Sequence, residues 1–200
     1  MEQQEQRLKL PRLMLFTGLA FMFGGFFRTL LEQSFLNKAP GVETTGLEIF
    51  LTIWLGFLIE AVVGMAVLAG LVRKSYSFRK LWLAGTGAFA LGILIPALLI
   101  NQFFYALLIL PGVLVGLFLG LLLKERSGRG ILILLVTIGF LICQVLVFSV
   151  RNDIPWVIWL YENVGDNSVT ILMHMIQDII IGAFVALGVG LMLRNLNKRE

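Results

Sequence analysis

Four ionisable residues interrupt stretches of apolar sequence that are long enough to cross a membrane: Arg28, Glu60, His174 and Asp178. An ionisable residue inside a membrane span costs about 2.5–3.5 kcal/mol on insertion scales, so such residues indicate function by default. Carboxyl groups in this setting suit the binding of a proton, a cation or a polar substrate. We therefore expect the four residues to belong to a substrate- or ion-binding site.

The spacing of these residues along a helix indicates where they point. Side chains four residues apart share one helix face, and small side chains at that spacing let helices approach closely. The charged residues continue three rows of small residues, namely Ala20-Gly24-Arg28, Gly56-Glu60-Gly64 and His174-Asp178-Gly182-Ala186-Gly190. We therefore expect the charged groups to point into a helix bundle rather than towards lipid.

The depth of each residue in the membrane follows from the rise of the helix. At about 1.5 Å per residue, Arg28 and His174 lie roughly 5–8 Å below the outer surface. On the same rise, Asp178 lies about 14 Å deep and Glu60 lies close to the midplane. We predict a polar funnel that opens outward and ends at a carboxylate. With two glutamines of the outer half, this predicted site comprises Arg28, Glu60, Gln144, His174, Gln177 and Asp178.

A structural role is the alternative for each charged residue. Arg28 could extend to the outer interface and pair with Glu32 one turn away. His174 could be a neutral imidazole that orients Asp178, and Asp178 could hold helices together by bonding to Gln144 or to Arg28. Glu60 has no basic residue on its own helix face within one turn, so it is either protonated or paired across helices.

The elements that position these residues are predicted from hydropathy. The composition is 58% hydrophobic and 14% charged, whereas a soluble domain carries about 25% charged residues. A bilayer core of about 30 Å requires roughly 20 apolar residues in a helix. Six segments meet this requirement, at about 12–31, 47–72, 81–100, 103–123, 130–150 and 169–193. We predict an all-α membrane protein, a bundle of six transmembrane helices forming a single domain over residues 1–200.

The distribution of basic residues predicts the orientation of the chain. All but three of the 16 lysine and arginine residues lie on one side of the predicted spans, the exceptions being Arg28, Lys38 and Arg151. Loops rich in lysine and arginine stay in the cytoplasm. We therefore predict that both termini are cytoplasmic. The chain has no N-x-Ser/Thr sequon, which fits a prokaryotic plasma membrane.

Two outer loops carry local signals. Thr45 and Glu48 have the spacing of a capping box, which predicts that a helix begins there. The last outer loop, residues 151–168, contains Trp156, Trp159 and Tyr161. Aromatic side chains at this density outside a span predict a short helix in the outer interface. This helix either anchors the loop or covers an outward-facing site.

Several classes of enzyme and binding protein are disfavoured by what the sequence lacks. It contains neither a Gly-x-x-x-x-Gly-Lys-Ser/Thr phosphate loop nor a Gly-x-Ser-x-Gly nucleophile motif. Cys143 is the only cysteine and His174 the only histidine, so no Cys/His cluster has metal-ligand spacing. The basic residues follow membrane topology rather than forming a phosphate-binding face. We predict no catalytic residue, metal site, cofactor or nucleic-acid partner.

The third and fourth predicted helices carry rows of small residues without charges, such as Gly112-Val-Leu-Val-Gly116-Leu-Phe-Leu-Gly120, which indicate packing surfaces. In size, helix number and orientation the chain resembles the substrate-binding membrane subunits of energy-coupling-factor vitamin transporters. This resemblance concerns the architecture of the whole chain. It implies cytoplasmic termini and an outward-facing site, and it assigns no role to individual residues.

Three functions are compatible with these features. The first is a small transporter, or the substrate-binding membrane subunit of one, that uses the outer polar site. The second is a non-catalytic subunit or assembly factor of a larger membrane complex. The third is an intramembrane enzyme that acts on a lipid or isoprenoid. For each we expect the lipid bilayer to surround the chain, together with a membrane-protein partner or a second copy.

Overall fold

The computed structural model describes residues 9–36, 45–99, 110–123, 128–151 and 166–196, and these contain six helices and no strand. The helices are α1 (Leu10–Leu36), α2 (Gly46–Leu71), α3 (Phe78–Leu99), α4 (Leu110–Leu122), α5 (Arg129–Arg151) and α6 (Asp166–Leu196). Within the described residues, five of them are long and apolar enough to cross a membrane, and α4 is the shorter one. The described part of the chain therefore fits a helical, multi-pass membrane protein.

Helix α1 is the element whose length hydropathy predicted least well. It ends at Leu36 rather than near residue 31. Two hydroxyl groups near this end donate to backbone carbonyls of the preceding turn. Thr29 Oγ1 donates to Gly25 O at 3.0 Å, and Ser34 Oγ donates to Leu30 O at 2.8 Å. These bonds to the preceding turn satisfy the two hydroxyl groups within the helix, and α1 continues beyond its apolar stretch.

Other predicted features fall partly outside the described residues. The predicted fourth span begins at 103, and its residues 103–109 are not described. The predicted interfacial helix falls largely within 152–165, which also lies outside the described residues. The predicted bounds of α2, α3, α5 and α6 agree with the structure to within three residues.

The capping box at the start of α2 is confirmed. The backbone N–H of Glu48 donates to Thr45 Oγ1 at 3.2 Å, and the backbone N–H of Thr45 donates to Glu48 Oε2 at 2.9 Å. These two reciprocal bonds satisfy amide groups that the first helical turn leaves without partners. They fix where α2 begins and therefore the position along it of every later residue.

The six described helices form a ring in chain order. Each helix packs against the next one, and α1 packs against α6 to close the ring. Aromatic side chains meet across its centre, where the ring centroids of Phe21 and Phe89 are 5.4 Å apart and those of Phe89 and Phe140 are 6.4 Å apart. These three side chains come from α1, α3 and α5, so alternate helices of the ring are joined through one apolar core.

Two tryptophans hold α2 and α3 in register. Trp54 Nε1 donates to Ala90 O at 2.9 Å, and Trp82 Nε1 donates to Val62 O at 3.1 Å. The two bonds run in opposite directions between the helices and are well separated along them. They restrain sliding of α2, which carries Glu60 between the two bonds.

The outward surface of the bundle is apolar. Large hydrophobic side chains are exposed on several helices, among them Phe16, Phe23, Leu83, Leu134 and Val145. Soluble monomers rarely expose apolar surface of this extent. Lipid contact explains it, because lipid tails solvate such side chains.

Candidate functional site

Three of the predicted site residues meet inside the bundle. Arg28 Nη1 lies 3.3 Å from Glu60 Oε2 and 3.7 Å from Asp178 Oδ1. Arg28 lies on α1, Glu60 on α2 and Asp178 on α6, and α1 packs against both of the other helices. We call Arg28, Glu60 and Asp178 the charged triad.

The charged triad is almost completely removed from the surface. Glu60 and Asp178 are 0% exposed, and Arg28 is 8% exposed. The guanidinium of Arg28 also stacks over the ring of Phe57, with Cζ 3.9 Å from the ring centroid. An aromatic face attracts a cation most strongly when both are desolvated. Arg28 is therefore held between an aromatic ring and two carboxyl groups.

Glycines provide the space that the charged triad occupies. A β-carbon on Gly24 would lie 2.7 Å from Glu60 Cα, and one on Gly56 would lie 2.5 Å from Arg28 Cγ. A β-carbon on Gly25 would collide with the carboxylate of Asp178. These glycines thus bring α1 close to both α2 and α6, and Gly56 and Gly25 leave room for the charged side chains of Arg28 and Asp178.

An aromatic layer lies one turn from the charged triad. Phe21 is completely buried, and Gly64 and Gly182 make room for its ring. A β-carbon on Gly182 would lie 2.8 Å from Phe21 Cβ. Gly64 follows Glu60 by one turn and Gly182 follows Asp178 by one turn, so the charged layer is stacked on an apolar layer formed by the same helices.

The remaining predicted site residues lie on α5 and α6. His174 is partly buried one turn before Asp178, and Gln177 is 9% exposed. The backbone carbonyl of Gln177 accepts a hydrogen bond from Cys143 Sγ at 3.4 Å. Gln144 Oε1 is buried and has no hydrogen-bond partner within the described ranges. The ion pairs therefore join three of the six predicted site residues, and the other three lie on α5 and α6.

Two residues near the charged triad were missed by the sequence interpretation. Phe57 precedes Glu60 by three residues, and this spacing places both on one helix face. That signal was present in the sequence. Cys143 lies on α5, and its Sγ donates at 3.4 Å to the carbonyl of Gln177, the residue before Asp178. Its proximity depends on how α5 packs against α6, which no spacing within one helix reveals.

Arg28 lies inside the bundle and not at the surface, as the alternative interpretation had it, because it is buried and its guanidinium contacts Glu60 and Asp178. It lies about 12 Å from Leu36, the last residue of α1, on a rise of about 1.5 Å per residue. Its depth in the membrane stays a prediction. Of the two interpretations of Glu60, pairing across helices is the one observed.

The charge of the triad is unbalanced when every group is ionised. One guanidinium faces two carboxylates. Within the described part of the chain, Glu60 Oε1 is buried and has no hydrogen-bond partner, whereas Oε2 lies beside Arg28. A buried charge that is neither paired nor hydrogen-bonded is strongly unfavourable. The arrangement can therefore bind one more positive charge.

Among the described residues, no three His, Cys, Asp or Glu side chains come together as a group that could hold a metal ion. No protein-family model, curated protein or solved structure matches the chain. The resemblance to vitamin-transporter subunits therefore rests on architecture alone. The charged triad is the feature of the molecule from which a function can be inferred.

Proposed function

We propose that this chain is a small membrane transporter, or the substrate-binding membrane subunit of one, whose site is centred on the charged triad. The observation that supports this proposal is the burial of Arg28, Glu60 and Asp178 together inside an apolar bundle. Buried ion pairs are poor stabilisers, because apolar side chains of similar volume often serve equally well. Ligand binding explains the charged triad inside a membrane bundle better than a contribution to stability does.

The proposed site opens towards the membrane face where α6 begins. His174 and Gln177 lie on α6 between its start and Asp178, and Gln144 on α5 adds a buried amide oxygen. These side chains supply hydrogen bonds for a polar ligand above the charged triad. At the other end, the buried ring of Phe21 separates the charged layer from the opposite face.

The proposed orientation places both termini in the cytoplasm of a prokaryotic cell. Its support is the distribution of lysine and arginine, of which all but three lie on one side of the predicted spans. Arg28, one of the three exceptions, belongs to the charged triad rather than to a loop. The site would then face the outside, as uptake requires.

Small molecules and proteins that co-purify in mild detergent test this function. The wild type is compared with Glu60→Gln and Asp178→Asn, and with Glu48→Gln as a control that changes an exposed carboxyl group. We expect the wild type and the control to retain the same small molecule, and each triad variant to retain at least about tenfold less, the equivalent of one lost hydrogen bond to a charged group.

The identity of what co-purifies separates the three functions. An ATPase partner would agree with the substrate-binding subunit of a transporter. Equal retention by all four proteins would contradict the proposed site. A large stable complex with no retained small molecule would favour the non-catalytic subunit, and a retained lipid would favour the intramembrane enzyme.

A further inference from the structure

The charged triad has one more negative than positive group when all three are ionised. Outside the five residues at each end of the described helices, the titratable groups are Arg28 on α1, Glu60 on α2, Cys143 on α5, and His174 and Asp178 on α6. The described part of α4 has no titratable residue, and the charged residues of α3 lie in its exposed first turn. Arg28 is thus the one permanent positive charge in this group.

The atoms of Glu60 indicate where the missing positive charge resides. Oε2 lies beside Arg28 Nη1, whereas Oε1 is buried without a hydrogen-bond partner in the described ranges. The carboxyl groups of Glu60 and Asp178 lie beside the same nitrogen, at 3.3 Å and 3.7 Å from Arg28 Nη1. Two carboxylates cannot hydrogen-bond to each other, because both are acceptors; a hydrogen bond between them requires that one carries a hydrogen.

From this geometry we propose that the charged triad holds one exchangeable proton, shared between Glu60 and Asp178, and that this proton is the coupling ion of the transporter proposed above. With it, one guanidinium and one carboxylate cancel and the second carboxyl group is neutral. The proton donates from one carboxyl oxygen to the other. Only its use in coupling depends on the proposed function; its presence depends on the charge balance alone.

The packing favours a proton over a metal cation. Gly24 and Gly56 approach the charged triad so closely that a single added carbon would lie 2.7 Å from Glu60 Cα or 2.5 Å from Arg28 Cγ. A cation needs a shell of oxygen ligands, and here one oxygen of each carboxyl group already lies beside Arg28. A proton needs no shell and no added volume.

Infrared spectroscopy of the folded wild type in detergent tests the proton directly. A protonated carboxyl group has a carbonyl band distinct from those of carboxylates and amides, and the band shifts in heavy water if the proton exchanges. We expect this band at neutral pH, where exposed carboxyl groups, with a pKa of about 4, are ionised. We also expect it to disappear reversibly as the pH is raised. Its absence at neutral pH would overturn the proposal, and no variant needs to fold for this result.

Amide variants assign the band. Glu60→Gln and Asp178→Asn each leave one guanidinium and one carboxylate, which balance without a proton, so each should lose the band. Glu48→Gln, which changes an exposed carboxyl group, should keep it. A band that persists in either triad variant would contradict a shared proton.

Two other ways to balance the charge give different outcomes. A proton on His174 would leave both carboxyl groups ionised, so the wild type would show no carboxylic acid band. A bound sodium ion would also abolish the band and would raise the thermal midpoint in sodium relative to choline buffer. Either result overturns the proposed proton. Neither bears on whether a substrate is retained, so this proposal and the proposed function fail separately.

Discussion

At the scale of residues, Arg28 makes the three members of the charged triad depend on one another. A single nitrogen, Nη1, lies 3.3 Å from a carboxyl oxygen of Glu60 and 3.7 Å from one of Asp178. Removing the guanidinium leaves two carboxyl groups buried together, which is more unfavourable than removing one carboxyl group. The residues should therefore respond to mutation as a unit.

We predict that Arg28→Ala destabilises the protein by about 3 kcal/mol, the usual effect of stranding a buried charge. Asp178→Asn should destabilise it less, because Arg28 still forms its ion pair with Glu60. The double variant should lose less stability than the sum of the two, by about 0.5–3 kcal/mol. Unfolding by a denaturing detergent measures all four corners of this cycle.

A second cycle controls for general effects of losing Arg28. Glu48 caps α2 from an exposed position, so Arg28→Ala and Glu48→Gln should be additive to within about 0.5 kcal/mol. If the Arg28–Asp178 cycle is additive to the same degree, the two side chains do not interact in the folded protein.

Glu60 should separate the effect of shape from that of charge. Glu60→Gln keeps an acceptor for Arg28 and should change stability little, whereas Glu60→Leu removes the acceptor and should cost about 1–3 kcal/mol. Thermal midpoints in detergent at neutral pH measure both. If the leucine variant is as stable as the glutamine variant, the contact with Arg28 contributes nothing.

The same residue predicts the dependence of stability on pH. If the folded protein holds a proton that the unfolded chain releases above about pH 4, the folded state binds more protons and its stability falls as the pH rises. Glu60→Gln removes this proton, so its thermal midpoint should change less between neutral and alkaline pH. Identical pH profiles for the wild type and Glu60→Gln would contradict a titrating role for Glu60.

At the scale of elements, spacing along single helices predicted which residues lie on packed faces. The contacts between helices depend on how the helices pack, which spacing does not reveal. The rows of small residues placed Gly24, Gly56 and Glu60 on packed faces, and the structure confirms that all three are buried. The contact of Arg28 with Glu60 was not predicted, because it depends on the shift and the rotation of α1 against α2. Neither can be read from the spacing within one helix.

A glycine substitution tests the close approach of α1 and α2. A β-carbon on Gly24 would lie 2.7 Å from the backbone Cα of Glu60, which cannot move aside as a side chain could. Gly24→Ala should therefore destabilise the protein by about 1–3 kcal/mol, the usual effect of overpacking. Thermal unfolding in detergent measures this effect.

Gly70→Ala provides the matched control. Gly70 also lies within a helix, and a β-carbon there would have nothing within 4 Å. Alanine favours a helix by about 1 kcal/mol over glycine, so this variant should be neutral or slightly more stable. Equal effects of the two substitutions would mean that α1 and α2 do not approach as described.

At the scale of the whole molecule, the ring closes through the helices that carry the charged triad. Helices α1 and α6 are the first and last of the described chain, and Arg28 with Asp178 bridges them, while Arg28 with Glu60 bridges α1 and α2. The triad thus lies where α1 packs against α6, the helix farthest from it in sequence. A change in the charge of the triad would therefore act on the packing of these two helices.

The last prediction concerns the orientation of the whole molecule. Of the three basic residues on the proposed outer side, Arg28 is paired inside the bundle, so only Lys38 and Arg151 count against the cytoplasmic clusters. Reporter fusions after Glu200 and after Ser77, which follows the exposed Arg73 and Lys74, should both report the cytoplasm. A fusion within residues 33–46 should report the opposite side. Each span reverses the side of the membrane. The same signal from Ser77 and from 33–46 would therefore mean that α2 does not cross. Opposite signals from Ser77 and Glu200 would mean that the four later helices do not cross an even number of times.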